Sequence, residues 1–263
     1  MEEGYLERIY AGTADLKDFL KTGRLDVIDD IHPTDGMYQK EQADYYFKCG
    51  LNALENIRLA MEAVGRRPAD IKNILDFACG YGRVLRMLKA GFPLSGITAC
   101  DLDKKAVDFC SNAFKVKPVY ADKDVSRIEL KEKYDLIWVG SLLTHLAPGA
   151  WPGYISFFES VLSPGGILMF TMHGRYVAQR FITGTKTYGI DKAGVEKLLD
   201  EYKRSGSGFA EYTPGTAYGI SVADPSSVMS NLESMTGLRV LIYNEKGWVK
   251  HQDVVGVVKE NIY

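Results

Sequence analysis

The segment from Asn73 to Leu88, NILDFACGYGRVLRML, constrains the fold more than any other part of the chain. It opens with a short apolar run, which is typical of a parallel strand buried on both faces. Gly80 and Gly82 follow one residue apart, where the backbone must turn sharply and leave room for a ligand. An apolar series at helical spacing comes next. The segment predicts a strand, a tight turn and a helix, with a ligand bound at the turn.

The glycine spacing separates two classes of nucleotide site. A dinucleotide fingerprint needs a third glycine for close helix packing, and Leu85 occupies that position. The order D-x-A-x-G-x-G from Asp76 to Gly82 instead resembles the first motif of class I S-adenosylmethionine-dependent methyltransferases, in which an acid precedes G-x-G-x-G. Ala78 replaces the first glycine of that motif. An alanine fits there without strain if its φ is negative and is costly if φ is positive.

Composition limits the function classes. With 263 residues, 46% hydrophobic and 25% charged, the chain can form one soluble α/β domain with a full core. The net charge of −2 argues against a nucleic-acid partner. No apolar window approaches the length of a membrane span and the N-terminus lacks a signal-peptide pattern, so we expect no membrane partner and a cytoplasmic location. The four cysteines form no C-x-x-C pair, which favours reduced, buried thiols.

Two parts of the chain depart from the alternation of strand and helix. Residues 1–70 are predicted to form an N-terminal helical extension or lid, and residues 71–263 the S-adenosylmethionine-binding domain. An aromatic cluster in the extension either covers a bound cofactor or packs in the ordinary way; it consists of Tyr38, Tyr45, Tyr46 and Phe47. A helix and a hairpin between about residues 174 and 223 are interpreted as an inserted cap between strands five and six.

An acid ends the second predicted strand. Asp101 lies 19 residues after Gly82, where doubly wound nucleotide folds place the carboxylate that binds the ribose hydroxyls. We expect Asp101 to bind the ribose, with the adjacent Leu102 also contacting the cofactor. Asp103 is assigned to the N-cap of the following helix.

The third predicted strand, Lys117 to Tyr120, precedes a polar turn at the adenine end of the site. Either Asp122 or Asp124 is placed to accept a hydrogen bond from the adenine amino group, and both can equally be solvated loop residues. Asp122 is slightly preferred because it lies closer to the strand end.

Two later motifs extend the resemblance. The fourth strand, YDLIWV, resembles the corresponding strand of the same methyltransferases, and LSPGG from Leu162 to Gly166 resembles their turn into strand five. The resemblance implies a doubly wound, mostly parallel seven-stranded sheet with helices on both faces and an antiparallel last strand. It also implies S-adenosyl-L-methionine as cofactor and S-adenosyl-L-homocysteine as product. The expected cofactor contacts are Asp76, Ala78, Gly80, Gly82, Asp101, Leu102, Asp122, Gly140 and Ser141.

Two histidines follow neighbouring strands and are the candidate catalytic residues. His145 comes after strand four and His173 after strand five, so both are expected to border one pocket. A histidine suits removal of a hydroxyl proton near neutral pH. Each can also be a histidine that simply hydrogen-bonds the backbone. No metal site is expected, because neither histidine has a second ligand at metal-binding spacing.

The sequence therefore predicts methyl transfer to a small-molecule or saccharide acceptor, most simply at a hydroxyl group. The alternatives are an NAD-dependent oxidoreductase and a non-catalytic scaffold that binds S-adenosylmethionine. The proline-rich turn of nucleic-acid amino methyltransferases is absent after strand four, where Gly140 and Ser141 stand. The sequence does not indicate an oligomeric state.

Overall fold

The computed structural model describes residue 10 and residues 13–260. The helices of this part are α1 (Ala14–Leu20), α2 (Ala43–Ala63), α3 (Leu85–Gly91), α4 (Lys104–Phe114), α5 (Trp151–Val161), α6 (Arg175–Ile182), α7 (Lys192–Ser205) and α8 (Pro225–Glu233). The strands are β1 (Asn73–Phe77), β2 (Gly96–Asp101), β3 (Lys117–Tyr120), β4 (Tyr134–Val139), β5 (Leu162–Met172), β6 (Ser207–Glu211), β7 (Gly219–Ala223), β8 (Leu238–Trp248) and β9 (Gln252–Lys259).

Seven strands form one sheet in the order β3-β2-β1-β4-β5-β9-β8, with helices around it. Strand β1 pairs in parallel with β2, and β2 with β3, whereas β8 and β9 are antiparallel. The predicted seven-stranded, mostly parallel sheet is confirmed. Strands β6 and β7 form a separate antiparallel pair, which is the hairpin predicted from the sequence.

The chain divides into two compact units. The first unit comprises Met1–Trp138 and Val161–Ile167, and the second comprises Val139–Ser160 and Leu168–Tyr263. The predicted division at residue 70 and the inserted cap remain predictions.

Local sequence signals account for several element boundaries. Asp103 accepts hydrogen bonds from the amides of Lys105 and Ala106, so it caps α4 as predicted. At the end of α2, the amide of Gly65 bonds to the carbonyl of Glu62 and that of Arg66 to the carbonyl of Met61. This pattern is a Schellman motif, and Gly65 has the positive φ of 67° that the motif requires.

Two strands are longer than the local sequence pattern alone indicates. Strand β5 begins at Leu162, so the predicted turn from Leu162 to Gly166 forms the start of the strand, and Gly165 within it has a φ of 70°. Strand β8 continues to Trp248, with an irregular register between Asn244 and Trp248. The period-2 pattern ends before these residues, and pairing with β9 extends the strand beyond it.

Apolar side chains of both units are buried. Strand β1 buries Ile74, Leu75 and Phe77 in the first unit. In the second unit, α6, α7 and the β6–β7 pair enclose a cluster that consists of Val177, Ala178, Phe181, Ile190, Leu198, Ala210, Ile220 and Val222. The four cysteines are buried thiols outside any disulfide, as expected.

Candidate functional site

The turn after β1 adopts a left-handed backbone at three positions. The φ angles are 60° at Ala78, 50° at Gly80 and 80° at Gly82. The two glycines reach these angles without strain. Of the two conformations considered for Ala78, the structure has the costly one, because its backbone is held at a positive φ that alanine rarely adopts. Strain of this kind persists where the surrounding structure enforces it, and it is frequent at ligand sites.

The two glycines are required for different reasons. A Cβ on Gly82 would lie 2.6 Å from a ring carbon of Phe114 and 3.1 Å from Sγ of Cys110, so the protein itself fills that space. A Cβ on Gly80 would meet no atom within 4 Å. The backbone of Gly80 therefore faces open space, and a ligand can approach it closely.

Asp101 is bound to the glycine turn. Its Oδ2 accepts a 2.8 Å hydrogen bond from the amide of Gly80, and its Oδ1 accepts one of 2.9 Å from the amide of Asp103. An ionised carboxylate offers about four acceptor positions, so each oxygen keeps one lone pair for a ligand. The two amides fix the carboxylate in a position from which it can accept hydrogen bonds from a pair of hydroxyl groups.

Asp76 is a buried acid with an unsatisfied oxygen. Only 2% of the residue is exposed, and its Oδ2 has no hydrogen-bond partner in the described part of the chain. Burial raises the pKa of the Asp76 carboxyl well above its ordinary value, and the nearby charge of Asp101 raises it further. A buried acceptor of this kind is complementary to a ligand that brings a cation or a hydrogen-bond donor.

The structure distinguishes the two acids that follow β3. The carboxylate of Asp124 accepts hydrogen bonds from the amide and hydroxyl of Ser126 and lies 3.3 Å from Nε of Arg127. Asp122 accepts the amide of Asp124 through one oxygen. Because Asp124 already caps the short helix Val125–Arg127, Asp122 is the better candidate for a ligand contact. Leu102, which is 53% exposed beside Asp101, offers an apolar surface to a planar base.

Arg86 is a buried cation near the turn that sequence reasoning missed. The residue is 1% exposed, and its guanidinium donates hydrogen bonds to the carbonyls of Gly82, Ile28 and Asp30. It also lies over the ring of Tyr46 at 5.3 Å. These contacts attach the segment around residues 28–30 to the glycine turn. Nothing in the sequence signals them, because an arginine within a helix ordinarily predicts an exposed side chain.

A second contact joins the N-terminal segment to the turn. The imidazole of His32 stacks on the ring of Tyr81 with centroids 4.8 Å apart, and the hydroxyl of Thr34 lies 2.8 Å from that of Tyr81.

The predicted aromatic cluster divides in two: Tyr46 and Phe47 are buried, whereas Tyr45 is exposed. Tyr46 donates to Asp35 at 2.7 Å, so at least this ring packs within the protein.

In the second unit, a hydrogen-bond network holds the turn after β4. Ser141 has a φ of 58°, and its amide donates a 2.7 Å hydrogen bond to Oγ1 of Thr171. Thr171 donates to Oε1 of Gln252 at 2.6 Å, and Nε2 of Gln252 donates to the hydroxyl of Ser141 at 2.9 Å. These bonds stabilise a strained serine beside Gly140. The carbonyl of Ser141 accepts from Thr144, next to His145.

His145 and His173 hydrogen-bond to the same strand. Nδ1 of His145 lies 2.8 Å from the carbonyl oxygen of Gly219, and Nδ1 of His173 lies 3.2 Å from that of Ser221. Residues two apart on a strand direct their carbonyls to the same side, and these two point away from β6. A carbonyl only accepts, so each Nδ1 carries the proton and each Nε2 keeps a lone pair. The hydroxyl of Tyr212, 3.4 Å from Nδ1 of His145, is a longer contact.

Both histidines line one cavity of about 560 Å³. The volume falls within the range of ~300–1,000 Å³ that is usual for small-molecule sites. The lining residues are His145, His173, Lys186, Thr187, Tyr188, Gly189, Tyr212 and Ile220. The structure thus brings together the two histidines that were predicted to share a pocket.

Burial weakens both histidines as bases, to different extents. It lowers the pKa of His145 below the ordinary value, and the hydrogen bond to Gly219 opposes the shift. Burial, followed by the neighbouring His251 and His145, lowers the pKa of His173 to about 3. His173 is therefore neutral at physiological pH and a poor proton acceptor, which leaves His145 as the stronger candidate base.

Other site classes find no support in the described residues. Across residues 10 and 13–260, no group of three or more His, Cys, Asp or Glu side chains is placed to hold a metal ion. None of the helices in this range is both long and apolar enough to cross a membrane. Leu85, which occupies the third position of the dinucleotide fingerprint, is fully buried at the start of α3.

Comparison with known proteins identifies the same region. A family model described as a methyltransferase domain matches residues 74–166, which include the glycine turn, Asp101, β4 and the LSPGG segment. No curated protein shows a significant match.

Solved structures resemble the chain over nearly its whole length. An S-adenosylmethionine-dependent methyltransferase from Clostridium acetobutylicum ATCC 824 is 16% identical with a TM-score of 0.54, over 96% of this chain and 100% of the other. The N-methyltransferase NodS from Bradyrhizobium japonicum WM9, solved with S-adenosyl-L-homocysteine, is 13% identical with a TM-score of 0.50, over 94% and 97%. Magnesium protoporphyrin IX methyltransferase from Synechocystis PCC 6803, also with S-adenosyl-L-homocysteine, is 14% identical with a TM-score of 0.52, over 98% and 97%. At these identities the likeness shows the fold alone.

The residues of the first unit suit a nucleoside ligand that carries a positive charge. The open space at Gly80, the unsatisfied Oδ2 of Asp76 and the free lone pairs of Asp101 match a ligand with a cationic end and a ribose.

Proposed function

We propose that the chain is a class I S-adenosylmethionine-dependent methyltransferase, as the methyltransferase-domain match over residues 74–166 supports, and that it methylates a hydroxyl group of a small-molecule or saccharide acceptor. The acceptor binds in the cavity that His145 and His173 line. His145 removes the hydroxyl proton. When bound, S-adenosylmethionine supplies a methyl group on a sulfonium, which a nucleophile displaces to leave S-adenosylhomocysteine.

In this proposal the first unit binds the cofactor through its fixed acceptors. Asp101, oriented by the amides of Gly80 and Asp103, accepts hydrogen bonds from the ribose hydroxyls. The buried Asp76 pairs with the positive charge of the cofactor, which compensates the desolvation of its carboxylate. The turn from Ala78 to Gly82 leaves room for the ligand, while Leu102 and Asp122 contact the adenine. Gly140 and Ser141 remain contacts predicted from the sequence.

The observation that carries the hydroxyl assignment is the 2.8 Å contact between Nδ1 of His145 and the carbonyl of Gly219. It fixes the tautomer in which Nε2 holds the lone pair, which is the arrangement a general base requires. A hydroxyl nucleophile must lose its proton during displacement, and a positioned base typically contributes ~10²–10⁴-fold to such a step.

His173 has a different role in this account. It is 5% exposed, and its lowered pKa keeps the ring neutral. Its Nε2 lone pair is suited to accept a hydrogen bond and orient the acceptor. His145 is less buried and therefore better able to exchange a proton with solvent after the reaction.

The proposal is tested with methyl-labelled S-adenosylmethionine and matched acceptor pairs such as phenol with aniline and cyclohexanol with cyclohexylamine. We expect label on hydroxyl acceptors in preference to their amine counterparts. His145→Gln keeps an amide donor for the Gly219 carbonyl but removes the basic nitrogen, so transfer should fall by about 10²-fold while S-adenosylhomocysteine affinity is unchanged. Label on amines alone, or an undiminished rate in His145→Gln, would refute the hydroxyl assignment.

A further inference from the structure

Ser221 contacts the segments that carry both candidate histidines. It lies in the middle of β7 and is fully buried. Its hydroxyl donates a 2.7 Å hydrogen bond to the carbonyl of Leu143. Its own carbonyl oxygen lies 3.2 Å from Nδ1 of His173. One residue therefore bonds to the turn that contains His145 through its side chain, and to the ring of His173 through its backbone.

The bond from Ser221 fixes the backbone beside His145. The segment Leu143–His145 is a short 3-10 helix, and the amide of Leu146 reaches the carbonyl of Leu143 only at 3.4 Å. Hydrogen bonds within 3-10 helices have poor geometry, so a helix of this length depends on outside contacts for its position. The 2.7 Å bond from Ser221 is shorter than the bond from Leu146. It anchors this 3-10 helix to β7.

The ring of His145 is held by the same strand. Its Nδ1 bonds to the carbonyl of Gly219, two residues before Ser221 on β7. Because the backbone and the ring of His145 are both attached to one strand, the geometry of β7 sets the direction of the Nε2 lone pair. The amide of Ala223 also donates to the carbonyl of His173 at 2.9 Å, so the second histidine is attached to β7 as well.

The side chain of Ser221 is separate from the cavity wall. Among the described residues, His145, His173 and Ile220 line the cavity, whereas Ser221 does not. The hydroxyl therefore has no direct route to an acceptor in the cavity and acts through the residues that it holds. A catalytic group displaced by about 1 Å can lose ~10²-fold in rate, because proton transfer requires hydrogen-bond distance.

We propose that Ser221 is a positioning residue for methyl transfer. Its hydroxyl holds the 3-10 helix Leu143–His145 at the distance from β7 at which the ring of His145 bonds to Gly219. The Nε2 lone pair of His145 is thereby kept in one direction. This inference rests on the proposed function, because it takes His145 as the base.

The first test observes the histidine directly and needs no acceptor. Nitrogen NMR of protein with isotope-labelled histidine shows which ring nitrogen carries the proton, and His145→Gln identifies the signal of His145. We expect the Nδ1-protonated tautomer in the wild type. Ser221→Ala should give a mixture of the two tautomers, because the bond to Gly219 is no longer held. Ser221→Thr keeps a hydroxyl and should retain the wild-type tautomer.

Ser95→Ala is the matched control. The hydroxyl of Ser95 is also buried and donates a 2.7 Å hydrogen bond to a carbonyl, that of Ile71 in the first unit. Ser95→Ala and Ser221→Ala each remove one buried hydrogen bond, so both should lower the melting temperature by about 2–4 °C. Ser95→Ala should leave the histidine spectrum unchanged. A wild-type His145 signal in Ser221→Ala would overturn the proposal and leave Ser221 with a purely structural role.

The second test connects the position of His145 to the reaction. With methyl-labelled S-adenosylmethionine and phenol, Ser221→Ala should lower kcat by at least about tenfold and leave S-adenosylhomocysteine affinity unchanged. In a His145→Gln background the same substitution should lower kcat little further, because residues that act as a unit have non-additive effects. The same fold-reduction in both backgrounds would overturn the proposal.

The outcomes separate this inference from the proposed function. An undiminished rate in His145→Gln alone would refute His145 as the base, whatever the effect of Ser221→Ala. A reduced rate in His145→Gln together with a wild-type rate in Ser221→Ala would overturn the positioning role and leave the proposed function standing.

Discussion

The amide of Gly80 donates a 2.8 Å hydrogen bond to Oδ2 of Asp101. This single bond joins the glycine turn after β1 to the carboxyl end of β2, so the acid and the open backbone of the turn lie side by side. A carboxylate held by backbone amides keeps its orientation before a ligand arrives, which lowers the entropic cost of binding.

Gly80→Ala should separate binding from stability. The Cβ meets no protein atom but carries the strain of a positive φ, so we expect the free energy of unfolding to fall by about 1–2 kcal/mol. S-adenosylhomocysteine affinity should fall by more than tenfold, because the methyl group enters the ligand space. Gly65→Ala is the matched control, since its φ of 67° and empty surroundings impose similar strain away from the site. Urea unfolding and calorimetry measure both quantities. Equal affinities in the two variants would place the ligand elsewhere.

Asp76→Asn should stabilise the unliganded protein at neutral pH. Burial raises the pKa of Asp76 in the folded state above that of the unfolded state, so the folded state binds more protons. The contribution of the Asp76 carboxyl to the free energy of unfolding is fully present below about pH 4. It is lost as the pH rises through the raised pKa. The variant should therefore lose less stability than the wild type between pH 4 and 8, and bind S-adenosylmethionine more weakly. Parallel stability curves in urea unfolding would contradict a buried carboxylate without a partner.

We expect His173 to give the free energy of unfolding the opposite pH dependence, with stability lost on acidification. Its pKa of about 3 in the folded state lies below the value of ~6.5 expected for an unfolded histidine. The unfolded state therefore binds the extra proton first, and stability falls as the pH drops from 6.5 towards 3. Between pH 7.5 and 5, His173→Gln should lose about 2 kcal/mol less than the wild type. Urea unfolding at the two pH values measures the difference, and identical losses would show that His173 is not buried in its neutral form.

Arg86→Met should loosen the N-terminal segment. The substitution keeps much of the buried volume but leaves the carbonyls of Gly82, Ile28 and Asp30 without their guanidinium donors. We expect a loss of about 3 kcal/mol in unfolding free energy and faster amide hydrogen exchange around residues 28–35. Arg67→Met removes an exposed arginine paired with Asp70 and should leave the free energy of unfolding almost unchanged, because solvent screens such a pair. Exchange in that segment that matches the wild type would show that other contacts hold it.

The sequence predicted those parts of the fold that depend on short-range signals. Strand β4 begins at Tyr134 and ends at Val139 as its apolar run indicates, and Asp103 caps α4 because its carboxylate reaches the first free amides. Gly65 ends α2 for a similar local reason. These features follow from residues within a few positions of each other, so neither packing nor topology is needed to infer them.

The site was only partly accessible to sequence reasoning. The glycine turn and Asp101 follow from spacing, and the structure brings them together. The hydrogen bond from Arg86 to the carbonyl of Ile28 joins residues more than fifty positions apart, and no local sequence pattern indicates it. The roles of His145 and His173 remain predictions, now supported by a shared cavity and a defined tautomer.

Asp101 is the central residue of the proposed cofactor site. Calorimetric titration of wild-type and Asp101→Ala protein with S-adenosylmethionine tests it, with Asp103→Ala as the control that removes a neighbouring helix cap. We predict that Asp101→Ala weakens binding by about 1–3 kcal/mol, the cost of unmade hydrogen bonds to a charged group, while Asp103→Ala lowers stability and leaves most of the affinity. Wild-type affinity in a correctly folded Asp101→Ala protein would contradict the account.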